Sequence, residues 1–262
     1  MSAVSNCHRD QQHVFPQSIF SPRKGCHRHG RLPGIGAAIA VELAKRGANV
    51  TITYVSETSE SLAAEVVERI GNMDNEARAM AIRADVSSVE QCKKVVEATI
   101  ALYGEHVDIL VNNAGITSKL SVPDITPADF EQAINTNLRG PLFMAQAVIP
   151  HLRRPGRIIN ITSVAARGGY ASASLYLASK AGLEGLTRAL AAELGPAGHT
   201  VNAVEPGVTE TDMARDSGPP TPTGSTMGKP EDVASVVAML AEPQAGWVTG
   251  QTISASGGFT ML

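Results

Sequence analysis

The sequence has little cysteine, few aromatic residues and no long hydrophobic run. Three cysteines in 262 residues are too few for a disulfide framework, which predicts a reducing environment and a cytoplasmic location. No apolar run approaches the roughly 18 residues of a membrane span. The N-terminus also lacks the apolar region of a secretory signal. We therefore expect neither a transmembrane helix nor a secretory signal. A net charge of -3 and a pI near 6.2 argue against nucleic acid as the main partner.

Histidine and cysteine are unevenly distributed along the chain. Four of the seven histidines and two of the three cysteines lie before residue 30, and residues 1–33 show neither helical nor strand periodicity. In the whole chain 43% of residues are hydrophobic, enough to fill the core of one large domain. We therefore expect an aberrant, irregular segment at 1–33 and a single domain at 34–262.

Within this domain, apolar strands alternate with helical segments. Strands are expected at Asn49–Val55, Ala79–Ala84, Val107–Val111, Arg157–Ile161 and His199–Val204, and helices at Ile35–Arg46, Ser59–Ile70, Val89–Tyr103 and Phe130–Ile149. This alternation predicts an α/β fold with an open, mostly parallel sheet and helices on both faces. In such folds the ligand site lies outside the carboxyl ends of the strands.

The segment Ser163–Lys180 carries the residues with the clearest chemical meaning. Tyr176 and Lys180 stand four residues apart in a helical run and therefore share one helix face. A neighbouring ammonium favours the phenolate over the phenol, which suits Tyr176 to general acid/base catalysis. Ser163 can donate a hydrogen bond to a substrate carbonyl. A tyrosine and a lysine at this spacing are more often a simple surface pair, so the pair alone is weak evidence.

Taken together, these residues resemble the catalytic set of the classical short-chain dehydrogenase/reductases. That family combines a serine, a Tyr-x-x-x-Lys pair and an upstream asparagine followed by x-x-Gly, which picks out Asn137 here. The resemblance extends over residues 34–258 and is highly specific. It implies a Rossmann-like doubly wound fold, hydride transfer between a nicotinamide cofactor and a carbonyl/secondary alcohol pair, and a homotetramer.

The resemblance also implies a role for each catalytic residue. Tyr176 donates or accepts the hydroxyl proton, Lys180 favours the phenolate and holds the nicotinamide ribose, and Ser163 polarises the carbonyl. Asn137 orders a water in a proton relay, from a mid-helix position where asparagine is otherwise unfavourable. The alternative for Asn137 is a polar residue that faces solvent.

A glycine turn opens the first helix. It consists of Gly30, Gly34, Ile35 and Gly36. Glycines that open a helix between two strands are typical of dinucleotide binding, with phosphate at the helix N-terminus. The second strand ends in Tyr54 and Ser56, without the acidic residue that binds ribose hydroxyls and repels a 2′-phosphate. This favours NADP(H) over NAD(H), although the turn lacks the basic residue that clamps the phosphate.

By resemblance, further cofactor contacts follow the later strands. Asp85 is expected to meet the adenine amino group, or else to be an ordinary turn residue, and Asn112 in the motif NNAG is expected to brace the sheet. The predicted contacts of this group are Asp85, Val86, Asn112, Ala114, Gly115, Tyr176, Lys180, Pro206, Gly207, Val208, Thr209 and Thr211. A loop rich in Pro, Gly, Ser and Thr at 214–228 takes the place of the substrate lid.

The segment before the glycine turn departs from the family pattern. The family has a buried strand there, but this chain has Gly25-Cys26-His27-Arg28-His29, which is costly to bury. Read one base later, degenerate codons for Gly25–Gly34 permit Val-Ala-Ile-Val-Thr-Gly-Ala-Ser-Arg, which is the missing strand and turn. We hypothesise that one base was lost near Pro33 and that residues 1–33 are an out-of-frame translation. A gene sequence in which no one-base change restores this peptide would disprove it.

Other interpretations remain open at this point. A metal site at Cys7, Cys26, His27 and His29 lacks a recognised ligand spacing, so no metal is predicted. A catalytically defective dinucleotide-binding protein or sensor gains weight if the written N-terminus is genuine. A metal-dependent hydrolase has no His/carboxylate constellation to support it. The domain is most similar to 3-oxoacyl-acyl-carrier-protein reductases and to sugar or alcohol dehydrogenases, which implies a small carbonyl or alcohol substrate.

Overall fold

The computed structural model describes residues 34–211 and 227–259 and the backbone of Gln17–Phe20. In these residues seven strands form one parallel sheet, in the order β3-β2-β1-β4-β5-β6-β7. The strands are β1 (Gln17–Phe20), β2 (Asn49–Tyr54), β3 (Ala79–Arg83), β4 (Val107–Asn112), β5 (Leu152–Ile161), β6 (Thr200–Pro206) and β7 (Thr252–Ala255).

Helices cover both faces of this sheet. They are α1 (Ile35–Lys45), α2 (Glu57–Gly71), α3 (Val89–Tyr103), α4 (Pro127–Ile134), α5 (Gly140–Val148), α6 (Ser174–Leu194) and α7 (Pro230–Ala241). Helices α1, α2 and α7 contribute apolar side chains to a core on one face. Helices α3, α5 and α6 contribute to a second core on the other face. The predicted three-layer α/β architecture is confirmed.

The direction of strand order changes between β1 and β4. Strand β1 pairs with β2 on one side and with β4 on the other, so successive crossovers run outward in both directions. In doubly wound sheets a ligand crevice lies outside the carboxyl ends of the strands at the point where the strand order reverses, which here is between β1 and β4. The doubly wound fold is confirmed, and the crevice is where the predicted ligand site should lie.

Strand β1 lies within the segment that was expected to be irregular, so that expectation fails for Gln17–Phe20. These four residues pair with Asn49–Ile52, and the last three also pair with Ile109–Val111. An empty slot between β2 and β4 would leave two rows of buried backbone N–H and C=O groups unpaired. Pairing with an extended backbone satisfies them whatever its side chains are. The segment Gly25–His29, like the rest of 1–33, lies outside the described residues.

The helix predicted at Phe130–Ile149 begins earlier and contains a wider turn. Helix α4 starts at Pro127 behind a capping box formed by Thr126 and Asp129. A π-helical turn, Asn135–Arg139, then joins α4 to α5. Such turns are frequent at functional sites because they redirect one side chain. This one contains Asn137.

The remaining predicted elements differ from the structure mainly at their ends. The largest difference is β5, which begins at Leu152 rather than at Arg157. None of the helices in residues 34–211 and 227–259 has the length and hydropathy required to span a membrane.

Candidate active site

Helix α6 brings Tyr176 and Lys180 together at the crevice. Lys180 is fully buried, and its Nζ donates a hydrogen bond to the carbonyl oxygen of Ile161 at 2.7 Å. The same Nζ lies 6.0 Å from the centroid of the Tyr176 ring, which is half-buried. An ammonium is costly to bury unless it is bonded. The protein thus holds a cation beside this phenol inside the fold, and the alternative of a simple surface pair is excluded.

Asn137 is also fully buried, which excludes the solvent-facing alternative. Its Oδ1 accepts a hydrogen bond from the backbone N–H of Ile116 at 2.8 Å. Its Nδ2 donates to the Ile116 carbonyl and to Ser179 Oγ, both at 2.9 Å. The asparagine therefore connects the loop after β4 to the residue next to Lys180. The π-helical turn explains how a mid-helix side chain reaches both.

Gly115 lies where these groups meet. A Cβ at this position would come within 3.2 Å of Lys180 Nζ and 3.3 Å of Asn137 Oδ1. Both distances are tighter than ordinary van der Waals contact, so a larger residue at this position would press on the side chains of Lys180 and Asn137. The loop after β4, the π-helical turn and α6 thus converge on one small volume.

Ser163 follows β5 and begins a 3-10 turn, Val164–Arg167. Its Oγ accepts a hydrogen bond from the backbone N–H of Ala165 at 3.2 Å, and the residue is half-buried. A hydroxyl that accepts in this way keeps its own proton to donate. Ile161, which binds Lys180, is two residues upstream, so the same strand end carries Ser163 and anchors the lysine.

Asn112 braces the sheet, as expected, through a chain of buried side chains. Its Nδ2 donates to Asn160 Oδ1 at 2.8 Å, Asn160 Nδ2 donates to Thr187 Oγ1 at 2.9 Å, and Thr187 Oγ1 donates to the Leu183 carbonyl at 2.8 Å. The chain connects β4, β5 and α6. Asn160 and Thr187 were missed from sequence, although a polar residue inside the apolar run Arg157–Ile161 was a visible signal.

The start of α1 has the backbone features of an anion site. Gly34 is the N-cap, has extended backbone and makes no side-chain cap bond, and the first turn has no acidic residue. The first N–H groups of a helix have no partner within it and attract phosphate. Ile35 is half-buried and Gly36 is buried against the sheet. Gly30 lies outside the described residues.

The end of β2 presents hydroxyl groups and a nearby cation. Tyr54 is buried, and Ser56 Oγ lies 2.9 Å from Thr58 Oγ1 and 2.8 Å from Ser59 Oγ at the start of α2. Arg83, at the end of β3, donates from Nε to the Val55 carbonyl at 3.2 Å. Arg83 was missed from sequence, because the family's basic residue is expected in the glycine turn. Arg83 was visible as the last residue of the neighbouring strand.

Asp85 and Val86 follow β3. Asp85 Oδ1 accepts hydrogen bonds from the backbone N–H and the hydroxyl of Ser87, at 3.0 and 2.8 Å, as an ordinary turn aspartate does. Val86 is buried, and a Cβ on Gly140 would lie 3.0 Å from its carbonyl oxygen. These contacts favour the structural alternative for the Asp85 carboxylate, whereas Val86 packs beside the π-helical turn. Ala114 is half-buried in the loop after β4.

The loop after β6 is fixed at both ends. A Cβ on Gly207 would lie 2.8 Å from Ser256 Cα, so glycine is required for this close approach. Thr209 is buried, donates to the Gly207 carbonyl at 3.0 Å and forms an isolated parallel bridge with Gly228. Pro206 ends β6, and Val208 and Thr211 are half-buried in the loop. Most of the predicted lid at 214–228 lies outside the described residues.

Two buried glutamates and an arginine lie beside this loop and were also missed from sequence. Arg167 Nε is 3.5 Å from Glu184 Oε2 and 3.3 Å from Glu205 Oε2. Burial raises the pKa of the Glu205 carboxyl above its ordinary value, and the charge of Glu184 acts in the same direction, while Arg167 opposes it. The available signal was Glu205, a glutamate that directly follows the apolar run His199–Val204.

No group of three or more His, Cys, Asp or Glu side chains in the described part of the chain is placed to hold a metal ion. The candidate ligands Cys7, Cys26, His27 and His29 lie outside that part.

Comparison with known proteins identifies the family. A family model described as enoyl-(acyl carrier protein) reductase matches residues 30–260. The chain is similar to dehydrogenase OXI1 of Cochliobolus heterostrophus, with 45% identity over 81% of this chain and 97% of the relative. It is also similar to short-chain dehydrogenase/reductase FrzI of Cladobotryum sp, with 41% identity over 87% of this chain and 93% of the relative.

Solved structures agree with these relatives. A blue fluorescent protein from a metagenomic library, in complex with NADPH, is 37% identical with a TM-score of 0.83, covering 94% of this chain and 98% of its own. A short chain dehydrogenase from Burkholderia cenocepacia J2315, in complex with NADP, is 38% identical with a TM-score of 0.83, covering 93% and 97%. The chain belongs to the short-chain dehydrogenase/reductase family of NAD(P)-dependent oxidoreductases.

Proposed function

We propose that this protein transfers a hydride between NADP(H) and a carbonyl/secondary alcohol pair at the site formed by Asn137, Ser163, Tyr176 and Lys180. The observation that carries the proposal is the fully buried ammonium of Lys180, 6.0 Å from the Tyr176 ring and bonded to the strand end that precedes Ser163. A structural lysine would reach solvent instead. A buried ammonium beside a half-buried phenol stabilises the negative charge that develops on the phenol oxygen as the proton leaves, and so suits Tyr176 to proton transfer.

The roles follow from the chemistry of each group. The bound nicotinamide supplies the hydride that reaches the carbonyl carbon. Ser163 donates a hydrogen bond to the carbonyl oxygen, and Tyr176 Oη gives its proton to that oxygen as the negative charge develops. The products are the alcohol and the oxidised cofactor, and Tyr176 must regain a proton. A relay water returns this proton along a route that lies between Asn137 and Lys180.

Replacing Tyr176 by phenylalanine tests this proposal. The variant should lose turnover by a factor on the order of 10²–10⁴, because a positioned acid/base group contributes that much, while NADPH binding is kept. Steady-state rates with a panel of carbonyl compounds and fluorescence titration with NADPH measure the two quantities. Tyr170→Phe is the matched control, since it removes the hydroxyl of a more exposed tyrosine in the segment before α6. Turnover near wild type in Tyr176→Phe would refute the assignment.

NADP(H) is proposed as the cofactor in preference to NAD(H). Ser56 takes the position where an acidic residue would repel a 2′-phosphate, and its hydroxyl lies with those of Thr58 and Ser59 at the N-terminus of α2. The cationic Arg83 reaches the Val55 carbonyl beside them. The NADPH and NADP complexes of the similar structures support the same choice.

A cytoplasmic homotetramer is proposed from the family resemblance, and exposed apolar side chains support the assembly. Phe130 on α4 and Leu142 on α5 are exposed, and so are Met239 on α7 and Trp247 after it. Trp247 is 99% exposed, which is unusual for the largest apolar side chain. Two different self-complementary surfaces are what a tetramer of dihedral symmetry requires. Light scattering of the purified chain measures the mass directly.

A catalytically defective dinucleotide-binding protein or sensor is the second candidate. It is favoured by the departure from the family pattern at Gly25–His29, just before the phosphate turn. Titration of the chain as written with NADPH separates the two functions. Saturable binding with turnover supports the enzyme, binding without turnover supports the sensor, and failure to bind indicates a defective product, as the frame-shift hypothesis predicts.

A further inference from the structure

The cluster of Arg167, Glu184 and Glu205 joins three segments that the proposed site depends on. Arg167 is the last residue of the 3-10 turn that Ser163 begins. Glu184 lies one helical turn beyond Lys180 on α6. Glu205 is the residue of β6 directly before Pro206, where the loop after β6 begins. The guanidinium belongs to the segment that carries the serine. It therefore connects that segment to the helix of the tyrosine–lysine pair and to the strand that leads into the cofactor loop.

The two carboxylates are buried although their hydrogen bonding is incomplete. The side chains of Glu184 and Glu205 are 9% and 2% exposed, while that of Arg167 is 31% exposed. Glu184 Oε1 and Glu205 Oε2 are buried without a hydrogen-bond partner, so the contact between Arg167 and Glu205 is an ion pair at 3.3 Å rather than an aligned hydrogen bond. Side chains of this kind are expensive to bury, and apolar residues of similar volume would stabilise the fold at least as well.

The geometry of this cluster suits it to fixing the relative positions of segments, although it adds little to stability. A guanidinium is planar and rigid, so two carboxylates that approach it are fixed in relative position. The sheet itself does not hold the 3-10 turn, because Val164–Arg167 lies beyond the last residue of β5. Contacts from α6 and β6 to Arg167 restrain the far end of that turn. Ser163 is at its near end and must be held to within about 0.5 Å for the hydrogen bond to be productive.

We propose that Arg167, Glu184 and Glu205 are positioning residues, which hold the turn that begins at Ser163 against α6 and against the end of β6. The proposal rests on the proposed function, since it assigns the cluster a role in placing Ser163 relative to Tyr176. The three residues act through the serine and contact neither substrate nor cofactor.

The test compares Arg167→Met with Arg167→Lys in the full chain. In Arg167→Met, kcat should fall by a factor on the order of 10², the loss expected from a displacement of about 1 Å in a catalytic group. NADPH affinity should change much less than kcat, because the proposed role of the cluster is to place Ser163. Arg167→Lys should recover part of kcat, since an ammonium keeps the charge but cannot span both carboxylates as a guanidinium does.

A second variant keeps the test valid if Arg167→Met fails to fold. The triple variant Arg167→Met/Glu184→Gln/Glu205→Gln leaves no unpaired charge in the cluster, so it should fold and show the same loss of kcat. The matched control is Arg153→Met, which removes an ion pair between β5 and β4, in which Arg153 Nε lies 2.6 Å from Asp108 Oδ1, near the end of β5 away from Ser163. Its kcat should equal that of the wild type.

The outcomes separate this inference from the function on which it rests. A triple variant with wild-type kcat, or a loss of kcat that Arg153→Met shares, overturns the positioning role. If those results occur while Tyr176→Phe is inactive, the proposed function stands without the cluster. If Tyr176→Phe is itself fully active, the proposed function fails and the positioning role fails with it.

Discussion

The proposed catalytic end of the site and its proposed phosphate end differ in how closely their residues match the family pattern. At the catalytic end, Asn137 and Lys180 are fully buried and bonded to the backbone of Ile116 and Ile161. At the proposed phosphate end, α1 begins at Ile35 behind the N-cap Gly34, which makes no side-chain cap bond, and the sequence before it departs from the family pattern. Both ends belong to the same sheet.

This contrast shows that sheet pairing and cofactor binding make different demands on a sequence. The central slot of the sheet accepts Gln17–Phe20, because every residue except proline offers the same backbone N–H and C=O. A phosphate turn instead requires glycines at particular positions and N–H groups aimed at the ligand. Catalytic rate and cofactor affinity should therefore be separable by mutation.

The largest expected effect is at the catalytic end. Lys180→Met should reduce kcat by a factor on the order of 10²–10⁴, because the negative charge that develops on the Tyr176 oxygen during proton transfer loses its neighbouring cation. NADPH affinity should fall much less, since the phosphate contacts are untouched. Steady-state kinetics and NADPH titration measure both, with Lys45→Met, an exposed lysine of α1, as the control. Equal losses in rate and affinity would contradict the separation of the two ends.

The next effect concerns the phosphate end. Replacing Gly25–Pro33 by Val-Ala-Ile-Val-Thr-Gly-Ala-Ser-Arg should raise NADPH affinity at least about tenfold, since one hydrogen bond to a charged group contributes roughly 1.5–3 kcal/mol. The value of kcat at saturating NADPH should stay the same. A scrambled version of the inserted peptide is the control. An affinity that does not change would count against the frame-shift hypothesis.

A smaller effect is expected at the adenosine side. Arg83→Ala should raise KM for NADPH a few-fold and leave KM for NADH unchanged, because only NADPH has the 2′-phosphate. The effect is limited since the Arg83 side chain is 59% exposed, and exposed ion pairs contribute about 0.2–1 kcal/mol. The difference should shrink in high salt. Arg69→Ala, an exposed arginine of α2, is the control, and equal changes for both cofactors would contradict the 2′-phosphate contact.

The smallest expected effect is a change in the free energy of unfolding with pH, caused by Glu205. The pKa of Glu205 is raised in the folded state by burial, so the stability linked to its protonated form is present below the unfolded pKa of about 4.3 and is lost as pH rises through the folded value. Glutamine stays neutral throughout. Urea unfolding at a series of pH values should show Glu205→Gln gaining stability relative to wild type as pH rises. A difference that is constant with pH would be inconsistent with the raised pKa.

Local patterns in the sequence account for most of the fold and for the proposed catalytic residues. Tyr176 and Lys180 share a face because of helical spacing, and Ser163 follows β5 because the apolar run ends there. Contacts between distant segments were not predictable in this way. Asn160 meets Thr187, and Arg167 meets Glu205, only after the sheet and α6 are assembled.

Strand β1 failed to be predicted for a related reason. Gln17–Phe20 is four residues long and lies in a segment without clear periodicity. Its place is set by pairing with β2 and β4 rather than by its own propensity. The π-helical turn at Asn135–Arg139 was equally hidden, although an asparagine in mid-helix pointed to an irregularity.

The glycine after Ala114 makes the enzyme vulnerable to an unusually small change. One added methyl group at Gly115 would press on the Lys180 ammonium at 3.2 Å and on the Asn137 carboxamide at 3.3 Å. Such a change alters no reactive atom, yet it bears on two of the proposed catalytic groups. Surveys of natural variants that inspect only ionisable and hydroxyl side chains would therefore overlook this position.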